Sequence, residues 1–373
     1  MIKTVSIIGS GLAAKAVLLS FANFFEQTAE QTQWRINVIA PETKHTGSAL
    51  VGESLPPSVE PLLAQLGVWD AFKALDYPPS FTRYTCWEND HLIPSYERQN
   101  PNGYGWIINR RAFEQLLWTQ INRRVEKIDR YWLDRYQHTL KQSEKTPQGW
   151  LLTLSDNQQI KSDFVIDCSG RACTFARDRS PRLKASTMVA GCDFLAPLNA
   201  DVERTAGVMI EAVVNGWWYS SLLPTGQLAV AYFTDRALMP QDFCRDEGVW
   251  KNALSQAKYT QMRIDTGEFA QVNQPRIKDA STSCLEQAGG ELWLACGDAA
   301  ITLDPLSAHG MATALWSGLK AAQACVATLQ GDHSLHAEYV ASVAKNWQLY
   351  HQQRTNIYKT QQRFTDSQFW LSK

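Results

Sequence analysis

The sequence lacks any long apolar run. No stretch approaches the roughly eighteen to twenty residues that spanning a bilayer requires, and the chain enters a strand pattern at once, without a cleavable leader. A cytoplasmic protein with no membrane partner is therefore expected. Charge of one sign is also missing: 36 Lys and Arg face 37 Asp and Glu, so no global field would draw the chain to nucleic acid. The eight cysteines form no C-x-x-C pair and have no histidine at ligand spacing, which argues against zinc and against a disulfide framework; no metal is expected. Cys168 and Cys173 flank a glycine turn but read as small buried residues rather than a redox pair. Internal repeats and low-complexity segments are absent.

What is present is apolar mass, 45% of 373 residues, enough for one large core or two smaller ones. Residues 4–8 (TVSII) form a β-branched run, followed by Gly9-Ser10-Gly11 and a long apolar helical pattern. A second run, 36–40, ends at Pro41 and completes a βαβ unit. Residues 149–168 alternate as strands do, and 292–296 form another short buried strand that leads into a helix pattern from Met311. The expected fold is α/β with an α+β insert: a Rossmann-type dinucleotide-binding domain assembled from 1–80, 100–181 and 286–336, an inserted antiparallel-sheet substrate domain at 182–285 with about 81–99, and C-terminal helices at 337–373. In that tail Trp347, Tyr350, Arg354 and Tyr358 share a helix face, read as packing on the body.

The turn Gly9-Ser10-Gly11-Leu12-Ala13-Ala14 fits GxGxxG/A in its required place between a strand and a helix. Gly9 permits the tight turn, Gly11 lets a pyrophosphate reach the backbone, and Ala14 allows close packing of helix on strand. The acid expected at the end of the second strand is missing at Ala40, so Glu42 is the candidate for a ribose hydroxyl; an exposed turn glutamate looks the same. A second glycine turn, Gly297-Asp298, delivers a carboxylate at a strand end, and Asp304-Pro305-Leu306-Ser307-Ala308-His309-Gly310-Met311 then opens a helix.

This second turn resembles the GD motif of FAD-dependent monooxygenases. The resemblance implies FAD as cofactor, with Asp298 on a ribityl hydroxyl and Pro305, Gly310 and Met311 facing the flavin pyrimidine, where negative charge collects on reduction. Residues 51–57 (VGESLPP) are similar to the GES segment of the flavin-dependent halogenase branch, which implies that Ser54 lies along the flavin. Residues 106–113 (WIINRRAF) resemble the D-R-x-x-F helix start, with Asn109 replacing aspartate and Arg110 matching the FAD-packing arginine. Residues 167–171 (DCSGR) resemble the halogenase turn; Ser169 in place of aspartate puts dedicated pyridine-nucleotide use in doubt. Halogenation itself fails two tests: Thr82 stands near the position of the halogenase lysine, and Tyr219 and Ser221 replace the tryptophans of W-x-W-x-I-P.

Together GESLPP, GWWYSSLLP and DPLSAHG resemble the narrower group of flavoproteins that mature tryptophylquinone cofactors of amino-acid oxidases such as glycine or lysine oxidase. That implies a monooxygenase-type oxidoreductase that uses O2 on a tryptophan of a precursor oxidase, its electrons coming from NAD(P)H or a separate flavin reductase. A small-molecule hydroxylase or halogenase-like flavoenzyme, and a FAD-stabilised maturation chaperone without redox turnover, remain alternatives. His309 is the candidate proton donor or stabiliser of reduced flavin, or a cap of its own turn. Glu53 either polarises the site or holds a loop. Trp217, Trp218 and Tyr219 are candidates for the substrate side, with one face of their strand expected in the core.

Overall fold

A computed structural model describes residues 2–28, 32–42, 53–96 and 103–373. Two sheets organise the chain. The first has six strands in the order Gly289–Gly290, Trp293–Ala295, Phe164–Asp167, Ile2–Ile8, Gln33–Ile39, Tyr131–Tyr136, all parallel except the first pairing. Buried on both faces, its central strands carry near-continuous apolar runs, with Val5, Ile7, Ile36, Val165, Ile166 and Leu294 in the core. Helix Leu12–Gln27 crosses between the first two strands, and helix Gly310–Leu329 packs against it. Only glycine fits at the closest point of that helix pair: a Cβ on Gly318 would lie 2.4 Å from the Ala13 carbonyl oxygen.

The second sheet has eight strands. Met188–Pro197, Leu228–Asp235, Gly216–Leu222 and Val208–Val213 form its antiparallel centre, and Arg276–Asp279 pairs with the first of these. The sheet is mixed rather than purely antiparallel, because Thr82–Cys86 joins Val208–Val213 in parallel before turning back through Ile93–Tyr96. Strands distant in sequence can meet in either direction, whereas Val208–Val213, Gly216–Leu222 and Leu228–Asp235 follow one another through short turns and so run antiparallel. Alternation sends Trp217, Phe233 and Ala231 to one face, and Trp218, Tyr232 and Val230 to the other, where helices Glu247–Leu254 and Lys258–Thr266 cover them.

The long helix Ser334–Lys359 touches both sheets. Near its start the Tyr339 hydroxyl donates to the Ala295 carbonyl at 2.6 Å, and near its end Tyr358 accepts from the Trp217 indole at 3.1 Å. No helix among the described residues is long and apolar enough to cross a membrane.

Candidate functional site

The parallel strands deliver two turns side by side. Gly9 closes the first with φ of +108°, and a Cβ there would sit 2.3 Å from the Cys168 carbonyl oxygen. Gly11 is different: a Cβ on it would meet nothing within 4 Å. It is the N-cap of helix Leu12–Gln27, which has neither a side-chain cap nor an acid in its first turn. The helix after the second turn, Gly310–Leu329, has the same bare N-terminus, and Gly310 is equally open. Two bare helix N-termini leave backbone N–H donors and positive dipole ends available for electron-rich groups.

Both ends open into one cavity of about 430 Å³. Gly11, Leu12, Ala13, Glu53, Ser54, Arg110, Gly297, Asp298, Pro305, Gly310 and Met311 line it on the side of the first sheet, and Trp217 and Tyr219 on the side of the second. Ala14 is fully buried behind this wall. Glu42 is exposed and away from the lining, and residues 43–52, including the start of the GES segment, lie outside the described residues. Among the described residues no cluster of His, Cys, Asp and Glu could hold a metal.

Trp218 is a correction. It is fully buried on the opposite face, stacked on Tyr232 at 5.0 Å and edge-on to Trp250 at 6.2 Å. The period-two alternation of a strand cannot send adjacent residues to the same face. His309 too is absent from this lining. It is exposed beside a second cavity of about 580 Å³, lined with Pro56, Arg83 and Ser307 and sharing Ser54 and Ala308 with the first. Its Nδ1 faces the Ser307 carbonyl, which fixes the proton on that nitrogen and leaves Nε2 to act.

Several supports escaped sequence reasoning. Arg171, in the turn after strand Phe164–Asp167, reaches Asp298 at 3.4 Å, while Arg182 donates to the Asp298 and Ala299 carbonyls at 2.9 and 2.6 Å. Confinement pushes the Asp298 carboxyl above its ordinary range, with Arg171, Arg110 and Arg182 pulling the other way. Glu114 bonds Arg110 Nε at 2.6 Å and buried Lys15 Nζ at 2.8 Å, and Lys15 also donates to the Ser10 carbonyl at 2.7 Å. Burial lowers the Lys15 pKa against the opposing pull of Glu114. Asn109 caps its helix by accepting from the Ala112 amide at 3.1 Å.

Asp304, just before the helix-opening turn, is the most heavily held. Its Oδ2 accepts from Arg354 Nε at 2.9 Å and from Tyr358 at 3.0 Å, its Oδ1 takes the Leu306 amide at 3.0 Å, and its own amide donates to Tyr350. The tail face seen in the sequence thus packs on the body and braces the turn. The Glu53 backbone carbonyl accepts from Ile108 at 2.7 Å, which holds the loop. Burial, then the Glu53 carboxylate, pushes the Cys192 thiol up to about 12, and the same two causes raise Tyr219.

No protein-family model matches the chain. It is similar to LodB of Marinomonas mediterranea, assigned as a FAD-dependent oxidoreductase: 24% identical over 384 aligned residues, covering 98% of this chain and 95% of LodB. Among solved structures, the myxobacterial chondrochloren halogenase CndH, a FAD-dependent halogenase, matches with a TM-score of 0.83 at 17% identity, covering 100% of this chain and 85% of that one. For the flavin-dependent halogenase CmlS the values are 0.82, 21%, 100% and 67%. QhpG, a peptidyl tryptophan dihydroxylase essential for tryptophylquinone cofactor biogenesis, gives 0.75, 16%, 100% and 78%. The fold is that of the FAD-dependent halogenases.

Proposed function

We propose, from this halogenase-type fold, that the chain is a FAD-dependent oxidoreductase of the monooxygenase type that modifies a tryptophan of a partner protein during tryptophylquinone biogenesis. One observation carries the reading: a single cavity joins two bare helix N-termini to an aromatic sheet face. The likeness to LodB and to QhpG supports the protein substrate. FAD fits the residues present. The N-terminus at Gly11 would take its pyrophosphate, Asp298 a ribityl hydroxyl, Arg110 and Ser54 its flanks, and the N-terminus at Gly310 the pyrimidine edge. When bound, the flavin supplies the redox chemistry with O2.

The chain itself supplies position, dryness and protons. Trp217, stacked on Phe233 at 4.0 Å, and Tyr219 form a rigid apolar wall on which an indole can rest. Glu53, buried at 7% exposure, polarises that wall. His309 holds a proton at the outer side of the same turn and can pass one through Nε2. The partner is a precursor of a quinone-cofactor amino-acid oxidase, and the electrons come from NAD(P)H or from a separate reductase.

The test is mass spectrometry of a precursor oxidase co-expressed with this chain or with its Asp298→Ala variant. Added oxygen or a crosslink on tryptophan only with the intact chain is the expected result. An unchanged precursor, with free indoles oxidised or halogenated instead, would overturn the reading in favour of a small-molecule enzyme; binding without O2 consumption would favour a chaperone.

A further inference from the structure

The Cys168 and Cys296 sulfurs lie 3.1 Å apart, and both residues border the cavity. Their placement is set by the sheet. Asp167 and Ala295 are register partners in neighbouring parallel strands, and the Cys296 amide donates to the Asp167 carbonyl at 2.9 Å, so the next residues of both strands emerge side by side. Neighbouring strands run about 4.8 Å apart, inside the roughly 4.4 to 6.8 Å that a disulfide tolerates between Cα atoms. Cys173, the other cysteine of that turn, donates instead to the Ala299 carbonyl at 3.4 Å.

We propose that Cys168 and Cys296 form an oxidisable dithiol that closes to a disulfide when hydrogen peroxide enters the cavity. Peroxide is what dioxygen becomes when two electrons reach it without oxygen transfer to a substrate. One sulfur attacks a peroxide oxygen, the O–O bond breaks, and water leaves behind a sulfenic acid. The second sulfur then attacks the first, the S–O bond breaks, and a second water leaves. Two thiol hydrogens depart in the waters, and two electrons from the sulfurs reduce the peroxide. The new bond fastens together the strand ends that carry Arg171 and Asp298, already joined by their ion pair.

The pair reacts only as a thiolate, and burial holds the Cys168 thiol well above its ordinary pKa, so closure should quicken as pH rises. The experiment treats the reduced full chain with hydrogen peroxide at increasing pH, blocks remaining thiols under denaturant, and maps the peptides. The expected result is loss of two of the eight thiols, and one 168–296 crosslinked peptide two hydrogens lighter than its separate parts. Cys325→Ser, at a buried cysteine elsewhere, should leave this unchanged, while Cys296→Ser abolishes it. Eight surviving thiols, single sulfinic acids at these positions, or a crosslink to any other cysteine would overturn the proposal. The wild-type map decides without any variant, and added peroxide makes the outcome independent of the proposed substrate.

Discussion

At Gly9 and Gly11 the same residue type meets two different constraints, which single substitutions separate. Gly9→Ala forces a side chain into positive φ and against the Cys168 carbonyl; it should cost on the order of 3 kcal/mol in denaturant unfolding. Gly11→Ala meets no protein atom and keeps an ordinary extended backbone, so unfolding should be unchanged within about 0.5 kcal/mol. On the proposed function, flavin affinity should nevertheless fall about tenfold, the equivalent of about 1.4 kcal/mol, because the added methyl would intrude where that reading seats the pyrophosphate. Equal flavin affinity in titration would remove Gly11 from the site. Asp298 shows the opposite trade. Its carboxyl pKa is raised, so the folded state binds protons more readily than the unfolded one, and stability falls as pH climbs from the ordinary carboxylate range through the raised value. The whole penalty is present once pH lies above that raised value. The flavin-free Asp298→Asn variant should therefore melt no lower than its parent at pH 7, with any advantage vanishing in acid, while its flavin binding weakens. A melting point that drops at pH 7 but not in acid would contradict this.

Among the elements, helix Ser334–Lys359 does for the Asp304 turn what no local residue does. Removing one member of its buried ion pair, as in Arg354→Met, should cost about 3 to 5 kcal/mol in chemical denaturation by stranding the Asp304 charge. Tyr358→Phe should cost about 1 kcal/mol, since the Arg354 guanidinium and the Leu306 amide still bond the Asp304 carboxylate. A smaller loss for Arg354→Met than for Tyr358→Phe would show that the charge is satisfied elsewhere. These contacts also mark the limit of sequence reading. Gly9, Gly11, Gly297 and Asp298 were legible because each motif is local, a strand end, a turn and a helix start within a few residues. Arg171 and Arg182 were not, because they act across long sequence separations with no periodic signature; for the Asp304 partners the shared helix face was legible but the residue it meets, 50 and 54 positions away, was not. Trp217 and Trp218 fell between the two cases: alternation told that they face apart, but only the neighbouring strands decide which one meets the cavity.

For the whole molecule, the two sheets divide the work, and the tail joins them. Trp87, Tyr358, Phe369 and Trp370 cluster against Trp217, with Trp370 donating to the Val213 carbonyl at 2.9 Å. Trp370→Ala should destabilise the chain by about 3 to 5 kcal/mol, and the loss should be greatest at the second sheet, as amide exchange along Gly216–Leu222 would reveal. Protection lost evenly over both sheets would argue that they unfold as one unit. The brace on Asp304 has one more consequence, which concerns birth rather than function. Its partners Arg354 and Tyr358 are translated 50 and 54 residues after it. On the ribosome the strands of both sheets are made while the Asp304 carboxylate still lacks its cation, so this turn is completed only once helix Ser334–Lys359 has emerged.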